Sequence, residues 1–327
     1  MSKQAILQLL QQADAPLSGQ TISRALGISR AAVWKCVEQL RREGYAIEAA
    51  TNRGYRLCAE PDRLDAASVA RELDGHAWAQ HVVVLDTVDS TNNYAKRLAA
   101  SGAPAGTAVI AGTQTAGRGR RGRSFFSPAG EGLYLSVILR PAARPEQIMH
   151  LTAMAAVAAA RAVACVCTQR PQIKWTNDLV FGTRKLAGIL TELSLVAESR
   201  EVEYVVIGIG INCAQRTFPP ELAEIATSIC AQTGRTPARS ALAAALLREL
   251  SRMDDALLTR RDEWLREFAE NCVTLGREVQ VIRGDCVRAA FAEGIGPEGE
   301  LLVRYPDGTR EAIASGEVTV RGMYGYV

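Results

Sequence analysis

The feature that most constrains the fold of this chain is the alanine-rich stretch at residues 149–166, MHLTAMAAVAAARAVACV. It predicts a long helix that is apolar nearly all round, and such a helix is buried on most of its faces. Runs rich in strand-forming residues lie on both sides of it. They occupy residues 81–88, 107–114, 133–140, 171–181, 185–194 and 203–213. The middle of the chain is therefore predicted to be α+β, with a mixed sheet.

The C-terminal part carries a different pattern. Residues 239–270 predict another helical block, and the residues after 273 predict short strands joined by glycine-containing turns. The tripeptides PEG at 297–299 and PDG at 306–308 are hairpin signals. Short strands with such turns predict a small β-barrel, SH3-like in size.

The N-terminal part shows helical spacing over residues 3–13, followed by two helices that begin after serines. Ser18 caps a helix that ends at Gly27, and Ser29 caps a helix that ends at Gly44. An alternating segment around a turn at 51–54 then predicts a hairpin. This order is typical of a winged helix-turn-helix. The whole is predicted to be a multidomain α+β protein with domains at 1–62, 63–273 and 274–327.

The third helix of such a module reads base edges in DNA, and the wing contacts phosphates. The predicted DNA-binding residues are Ser29, Arg30, Ala31, Trp34, Lys35, Arg53 and Arg56. The residues predicted to form the inner faces of these helices are Ile22, Leu26, Ile28, Val33, Val37 and Leu40. Two alternatives stay open, because the module could mediate protein contacts only and Trp34 could be partly buried.

Charge and composition limit the class of protein. The net charge is only +3, so any nucleic-acid contact must come from a local patch. The eight cysteines form no C-x-x-C pair and no zinc-like spacing. No signal peptide is expected, and no apolar run is expected to approach the length of a membrane span. These observations predict a cytoplasmic protein with no membrane contact.

The loop GRGRRGRSFFSP at 117–128 contains the letters of a dinucleotide-binding turn. That fingerprint requires a helix after the glycines and an acidic residue about 20 positions on. Here a strand follows, residues 135–145 hold no acid, and Glu146 comes too late. The chain also lacks G-x-x-x-x-G-K-[ST], which excludes a P-loop.

The same loop lies between two predicted core strands, where an arginine-rich nucleic-acid arm is not expected. Glycines let a backbone approach an anion closely, and guanidinium groups neutralise it. The loop is therefore predicted to be a flexible anion-binding loop, with a solvated charge run as the alternative.

Further short motifs surround this loop. They are DSTN at 89–92, Gln114, KWTND at 174–178, RKLAGIL at 184–190 and GIGIN at 208–212. Each motif alone is weak, but together with GRGRRGR at 117–123 and in this order they are specific. The chain resembles the bifunctional biotin protein ligases that also repress biotin synthesis, and the resemblance covers nearly its whole length.

The resemblance implies a biotin/lipoate-ligase-like central domain that uses ATP, biotin and Mg²⁺. It implies formation of biotinyl-5'-AMP and transfer of biotin to one lysine of biotin carboxyl carrier protein. The catalytic residues it implies are Arg118, Arg120 and Lys185. The biotin-binding set is Ser90, Thr91, Asn92, Gln114, Arg118, Gly119, Arg120, Lys185 and Gly188. The adenylate set is Arg118, Arg120, Arg121, Phe125, Phe126, Lys174, Asn177 and Asn212, with Asp178 as the metal ligand.

Two positions depart from the family pattern. Thr176 stands where the family usually has proline, and Phe125 stands where it commonly has tryptophan. A phenylalanine keeps an apolar lid over the ligand but lacks the indole N–H. Both departures are expected to tune affinity and to leave activity in place.

The resemblance also implies a homodimer, favoured by biotinyl-adenylate, that presents two winged helices to operator DNA. Three rival hypotheses remain. They are a lipoate- or octanoate-type ligase of the same fold, a ligand-sensing regulator without ligase activity, and a ligase whose DNA module is vestigial.

Overall fold

Serine caps begin two helices of the N-terminal unit, as predicted. Ser18 Oγ accepts a hydrogen bond from Thr21 N at 3.0 Å, and Ser29 Oγ accepts one from Ala32 N at 3.2 Å. The unit contains α1 (Ser2–Gln11), α2 (Gly19–Leu26), α3 (Arg30–Arg42), β1 (Ala46–Ala50) and β2 (Gly54–Ala59). The two strands pair antiparallel, so the helices and the hairpin follow in the predicted order.

The computed structural model describes residues 2–13, 15–50, 54–59, 62, 64–314 and 319–322. Contacts divide the chain into two compact units, residues 1–63 and residues 64–327. Ile22, Val33, Val37 and Leu40 are buried in the core of the first unit, and Leu26 and Ile28 pack against that core. The three predicted domain ranges stay predictions.

The second unit begins with two helices and the first strands of the central sheet. These are α4 (Ala66–Leu73), β3 (Val82–Val88), α5 (Thr91–Ala100), β4 (Ala108–Gln114) and β5 (Gly132–Leu139). Then follow α6 (Leu151–Val166), β6 (Gln172–Lys174), β7 (Asp178–Phe181), β8 (Arg184–Leu195) and β9 (Val202–Asn212). Four helices come next: α7 (Pro220–Ala223), α8 (Ile229–Thr233), α9 (Arg239–Ala256) and α10 (Arg261–Glu270).

The seven strands form one mixed sheet in the order β3-β4-β5-β9-β8-β7-β6. Only β3 and β4 run parallel among the pairings of the described strands, and the other pairs are antiparallel. Residues on β5 and β9 alternate between two buried clusters, so both faces of the central strands are covered. Helices α6 and α9 lie on one face, and α5 lies on the other. The predicted α+β organisation with a mixed sheet is confirmed.

The alanine-rich helix α6 is a core helix. The segment Pro145–Val166 is long and apolar enough to cross a membrane by length and composition, with 72% of its apolar window buried inside the protein. The expectation that no apolar run approaches the length of a membrane span was therefore wrong. Burial explains the composition, because a helix covered on most faces has no polar side to present to water.

The C-terminal strands are β10 (Glu278–Arg283), β11 (Cys286–Ile295), β12 (Leu301–Arg304), β13 (Arg310–Ile313) and β14 (Thr319–Gly322). They form an antiparallel sheet in the order β13-β12-β11-β10-β14. Both predicted hairpin turns are present, since Gly299 N donates to Gly296 O and Gly308 N donates to Tyr305 O. Within the described residues the two edge strands do not pair, so closure into an SH3-like barrel stays a prediction.

Candidate functional site

The glycine-arginine loop between β4 and β5 forms a small hairpin. Gly119 N donates to Arg123 O at 2.7 Å, and Phe125 N donates to Gly117 O at 2.8 Å. The tip turns at Arg121 and Gly122, whose φ angles of 56° and 73° lie in the left-handed region. A strand follows the loop, as the sequence predicted when it excluded a dinucleotide-binding turn. The hairpin brings its alternating arginines to the edge of a cavity.

This cavity has a volume of about 560 Å³, which is in the usual range for a small-molecule site. Fourteen predicted ligand residues line it: Ser90, Thr91, Asn92, Gln114, Arg118, Gly119, Arg120, Arg121, Phe125, Lys174, Asn177, Asp178, Lys185 and Gly188. The sequence motifs therefore meet at one place, although they are spread over a hundred residues of chain.

Two predicted residues do not line the cavity. Asn212 is buried behind it, where its Nδ2 donates to Thr227 O at 2.9 Å and its Oδ1 accepts from Gln215 Nε2 at 3.3 Å. Phe126 is 38% exposed and lies outside the lining. Their contact with a nucleotide stays a prediction.

The cavity lining is strongly cationic. Among the described residues it holds six cationic side chains, those of Arg118, Arg120, Arg121, Arg123, Lys174 and Lys185, and one carboxylate, that of Asp178. Like charges gathered in a concave site focus the potential and attract an anion. The lining therefore suits a ligand with several negative charges.

A polar wall forms where β4 meets the start of α5. Gln114 Oε1 accepts from Thr91 N at 2.8 Å and from Thr91 Oγ1 at 3.1 Å. Gln114 Nε2 donates to Ser127 Oγ at 2.9 Å, which fixes the orientation of the amide. Ser136 Oγ lies 2.8 Å from Thr91 Oγ1 and 2.7 Å from Asn92 Oδ1. Side chains held in this way are preorganised to hydrogen-bond a polar ligand group.

A second group of lining residues consists of Arg120, Asn177, Asp178 and Lys185. Lys185 Nζ lies 2.7 Å from Asp178 Oδ1, and Arg120 Nη1 donates to Asn177 Oδ1 at 3.0 Å. Burial lowers the pKa of Arg120; the charge of Asp178 opposes this effect, and the neighbouring charges of Arg121 and Arg123 add to it. An incoming anion would favour the charged form of this guanidinium, because an opposite charge nearby stabilises an ionised group.

The KWTND turn positions part of this region. The peptide bond between Trp175 and Thr176 is cis, and Thr176 itself is buried. The indole Nε1 of Trp175 donates to Gly299 O at 3.0 Å, and its backbone N donates to Thr274 Oγ1 at 3.0 Å. With threonine in place of proline, the turn still brings Lys174 and Asn177 to the cavity.

The apolar part of the cavity is built on two paired glycines. Gly188 on β8 lies opposite Gly210 on β9, and the ring of Phe125 packs on both. A Cβ at Gly210 would lie 2.5 Å from Phe125 Cε1, which is inside any normal contact distance. The ring also meets Tyr134 edge to face, with centroids 6.4 Å apart. The lid predicted for Phe125 is therefore an aromatic ring that needs glycine beneath it.

A carboxylate that the sequence did not single out binds the loop from outside the lining. Glu192 lies 3.0 Å from Arg118 Nη1 and 2.9 Å from Lys96 Nζ, and it accepts from Asn92 Nδ2 at 2.9 Å. It is the only acidic residue in the apolar strand β8, and that isolation is the signal that could have identified it.

The lining holds nine further residues that the sequence analysis did not assign to a ligand, although eight of them lie within the quoted motifs. They are Arg123, Ser124, Trp175, Ile189, Leu190, Gly208, Ile209, Gly210 and Ile225. Most of them are apolar or glycine and carry no chemical signal of their own. Ile225 reaches the site because its carbonyl accepts from Lys185 N at 2.7 Å.

The candidate DNA-binding surface lies on the separate N-terminal unit. Arg30, Ala31, Lys35 and Arg56 are exposed, as is Ser29, which also caps α3. Trp34 is 58% exposed, so it is not a residue of the core of this unit. Arg53 lies outside the described residues. An exposed tryptophan beside two cations on the first half of α3 suits contact with DNA.

Three family profiles match successive parts of the chain. The profile described as HTH domain matches residues 2–56, and the Biotin/lipoate A/B protein ligase family matches residues 84–212. The Biotin protein ligase C terminal domain matches residues 274–321. Together they span both units.

Curated relatives cover most of the chain. The Bifunctional ligase/repressor BirA of Bacillus subtilis is 43% identical over 232 residues, 70% of this chain and 71% of that protein. The protein of the same name from Escherichia coli is 33% identical over 309 residues, 93% of this chain and 92% of that protein.

A solved structure is also similar to this chain. The biotin protein ligase from Aquifex aeolicus in complex with biotin and ATP aligns with a TM-score of 0.64 and 29% identity. The alignment covers 74% of this chain and 99% of that one.

Proposed function

The chain belongs to the family of the bifunctional biotin ligase/repressors, and from this premise we propose that it biotinylates a protein and represses transcription. In the first reaction a carboxylate oxygen of biotin attacks the α-phosphorus of ATP, and pyrophosphate leaves. In the second, a lysine amine of biotin carboxyl carrier protein attacks the acyl carbon of biotinyl-5'-AMP, and AMP leaves. Relatives from Paracoccus denitrificans and Mycobacterium tuberculosis are named biotin–[acetyl-CoA-carboxylase] ligases.

One observation carries this proposal: a single cavity is lined by neutral polar side chains, by an aromatic ring packed on glycine and by six cationic side chains. Biotin has an apolar ring system with a polar ureido group, and it carries a carboxylate at the end of its side chain. We assign the ureido group to Ser90, Thr91 and Gln114, and the ring system to the surface formed by Gly188 and Phe125. The carboxylate then points toward the cations.

The adenylation step brings two anions together, so fixed positive charge must stabilise the transition state. We assign this role to Arg120 and Lys185, which both line the cavity. We assign binding of the nucleotide to Arg121, Lys174 and Asn177. Arg118 was predicted beside the same carboxyl group, and its guanidinium pairs with Glu192.

Mg²⁺ fits the site in one respect. The ion is held in many enzymes by one or two carboxylates together with substrate phosphates, and Asp178 is the one carboxylate of the lining among the described residues. The ion would neutralise charge on the triphosphate. Asp178 would hold it, with the amide of Asn177 beside the carboxylate.

For repression we propose that the exposed start of α3 binds operator DNA. A dimer favoured by biotinyl-adenylate would present two such helices to two half-sites. The cytoplasm is the expected location, because carrier protein, ATP and operator DNA are all present there.

The decisive experiment incubates the protein with biotin, ATP, Mg²⁺ and an apo carrier domain, and follows the mass of the carrier. Addition of one biotinyl group to one lysine is expected. No addition, together with biotin-dependent operator binding, would favour a regulator without ligase activity. Transfer of octanoate or lipoate in preference to biotin would favour the lipoate-type rival.

The DNA module needs its own measurement. Operator affinity is expected to depend on biotin and ATP together. Equal affinity with and without these ligands would contradict control by the adenylate, and the absence of operator binding would indicate a vestigial module.

A further inference from the structure

Glu192 lies between the glycine-arginine loop and helix α5. Its Oε1 contacts Arg118 Nη1 at 3.0 Å and Lys96 Nζ at 2.9 Å. Its Oε2 accepts from Asn92 Nδ2 at 2.9 Å and lies 3.4 Å from Arg118 Nη1. The Glu192 side chain is 21% exposed, so these contacts are made in a partly desolvated place. One carboxylate thereby ties three elements together: β8, α5 and the loop.

Glu192 is ionised at neutral pH. Burial alone would raise its pKa, but hydrogen bonds from Lys96 and Asn92 and the charges of Lys96 and Arg118 outweigh burial and lower it. A charge-assisted hydrogen bond between ions is roughly twice as strong as a neutral one. The bond from Arg118 therefore restrains the loop at its first arginine.

The two arginines of the loop have different surroundings. Arg118 donates to Glu192 and also to Asn93 Oδ1 at 2.9 Å, so its charge is matched by a carboxylate of the protein. Arg120 donates to the neutral oxygen of Asn177; burial lowers its pKa, and the charge of nearby Asp178 opposes this effect. Asp178 itself lies 2.7 Å from Lys185 Nζ. Arg120 is therefore hydrogen-bonded to a neutral amide, whereas Arg118 is hydrogen-bonded to a carboxylate, and a substrate anion gains more from Arg120.

We propose that Glu192 is a positioning residue that fastens the glycine-arginine loop through Arg118, while Arg120 contacts the reacting carboxyl group. The guanidinium of Arg118 then holds the loop in place, while the residue itself still lines the cavity. The proposal rests on the proposed ligase function only for its effect on biotinyl-adenylate. Attachment of the loop itself does not depend on any reaction.

The test uses Glu192→Gln in the full chain. Glutamine keeps the size of the side chain and one oxygen acceptor, in place of the two oxygens that accept from Asn92 and Lys96. It loses the charge that binds Arg118 and Lys96. In the absence of ligands, trypsin is expected to cleave after Arg121, at the exposed tip, about fivefold faster than in the wild type. Release of biotinyl-adenylate is expected to accelerate by about the same factor.

Three further variants make the test specific. Arg118→Gln should reproduce both effects, and it still tests the attachment if Glu192→Gln fails to fold. The double variant should be no faster than either single one, because both changes break the same contact. Glu203→Gln is the matched control, since Glu203 lies on the neighbouring strand β9 and bonds to Ser194 Oγ at 2.8 Å.

The outcomes separate the two proposals. Cleavage at the tip in Glu192→Gln that equals that in Glu203→Gln would overturn the role of Glu192. A double variant about 25-fold faster, the product of two independent fivefold effects, would overturn it as well. A wild-type protein that forms no adenylate would refute the ligase function, and the trypsin measurement would still decide whether Glu192 holds the loop.

Discussion

The contact between Phe125 and Gly210 allows a prediction whose size follows from the structure. In Gly210→Ala the new Cβ would lie 2.5 Å from Cε1 of the ring and 2.8 Å from Cζ. Carbon atoms in contact lie about 3.5–4.0 Å apart, so the overlap is about 1 Å. The ring belongs to a loop and the strand belongs to the core, so the ring moves and the loop is displaced.

Overpacking of this kind costs about 1–3 kcal/mol. The cost falls on closure of the loop and not on folding, because the ring can leave the cavity while β9 keeps its pairing. We therefore expect biotinyl-adenylate to be released about tenfold to hundredfold faster from Gly210→Ala than from the wild type. The thermal unfolding midpoint should change by no more than a few degrees.

Adenylate release after a single turnover measures the effect, with thermal unfolding as the test of folding. Gly294→Ala is the control, because a Cβ there meets nothing nearer than Leu302 Cδ1 at 3.8 Å. Phe125→Ala removes the ring, so adding Gly210→Ala to it should cause no further loss. Release from Gly210→Ala within twofold of the control, or a full additional loss in the double variant, would refute the reasoning.

Three further predictions concern other parts of the protein. Lys185→Gln should lower the rate of adenylation about 100-fold or more, measured in a single turnover at saturating biotin, because a fixed charge is lost from the transition state. Burial and then the charge of Asp255 raise the pKa of Asp254 to about 6, so ionising it costs stability as the pH rises from about 4 to above 6. Asp254→Asn should therefore raise the free energy of unfolding by on the order of 2 kcal/mol at pH 7.5 and hardly at all at pH 4. Denaturant unfolding at the two pH values measures this, and an equal gain at both would contradict the raised pKa of Asp254. Trp34→Ala should weaken operator binding about tenfold in a gel-shift assay without changing ligase activity, whereas unchanged binding would remove Trp34 from the DNA surface.

The sequence predicted elements whose signals are local. Ser18 and Ser29 cap their helices because a side-chain oxygen satisfies an N–H three residues later, and this bond needs no distant partner. The mixed sheet followed from runs of strand-forming residues. The dinucleotide turn could be excluded because the residues after Gly122 cannot begin a helix, and the chain indeed continues to a strand.

The prediction was incomplete where a long-range contact decides the outcome. Arg118 and Glu192 lie 74 positions apart, and nothing in the loop indicates which acid will face it. Asn212 ends β9, and the sequence analysis assigned its amide to the nucleotide. In the structure both polar atoms of that amide are hydrogen-bonded within a buried network. The apolar segment around α6 is also longer than the sequence analysis expected. Its burial inside the protein is a property of the packed structure.

By itself the sequence determined the order of the elements, the DNA-binding type of the N-terminal unit and the set of residues from which a ligand site could be built. Spacing and side-chain chemistry are sufficient for these predictions, because helix caps, strand alternation and charge depend only on residues that are close together in the sequence. Only the tertiary structure decided that Arg118 donates to Glu192 and Arg120 to Asn177. It also decided that Phe125 lies on Gly210, because a steric contact exists only once the sheet has brought distant strands and the loop together.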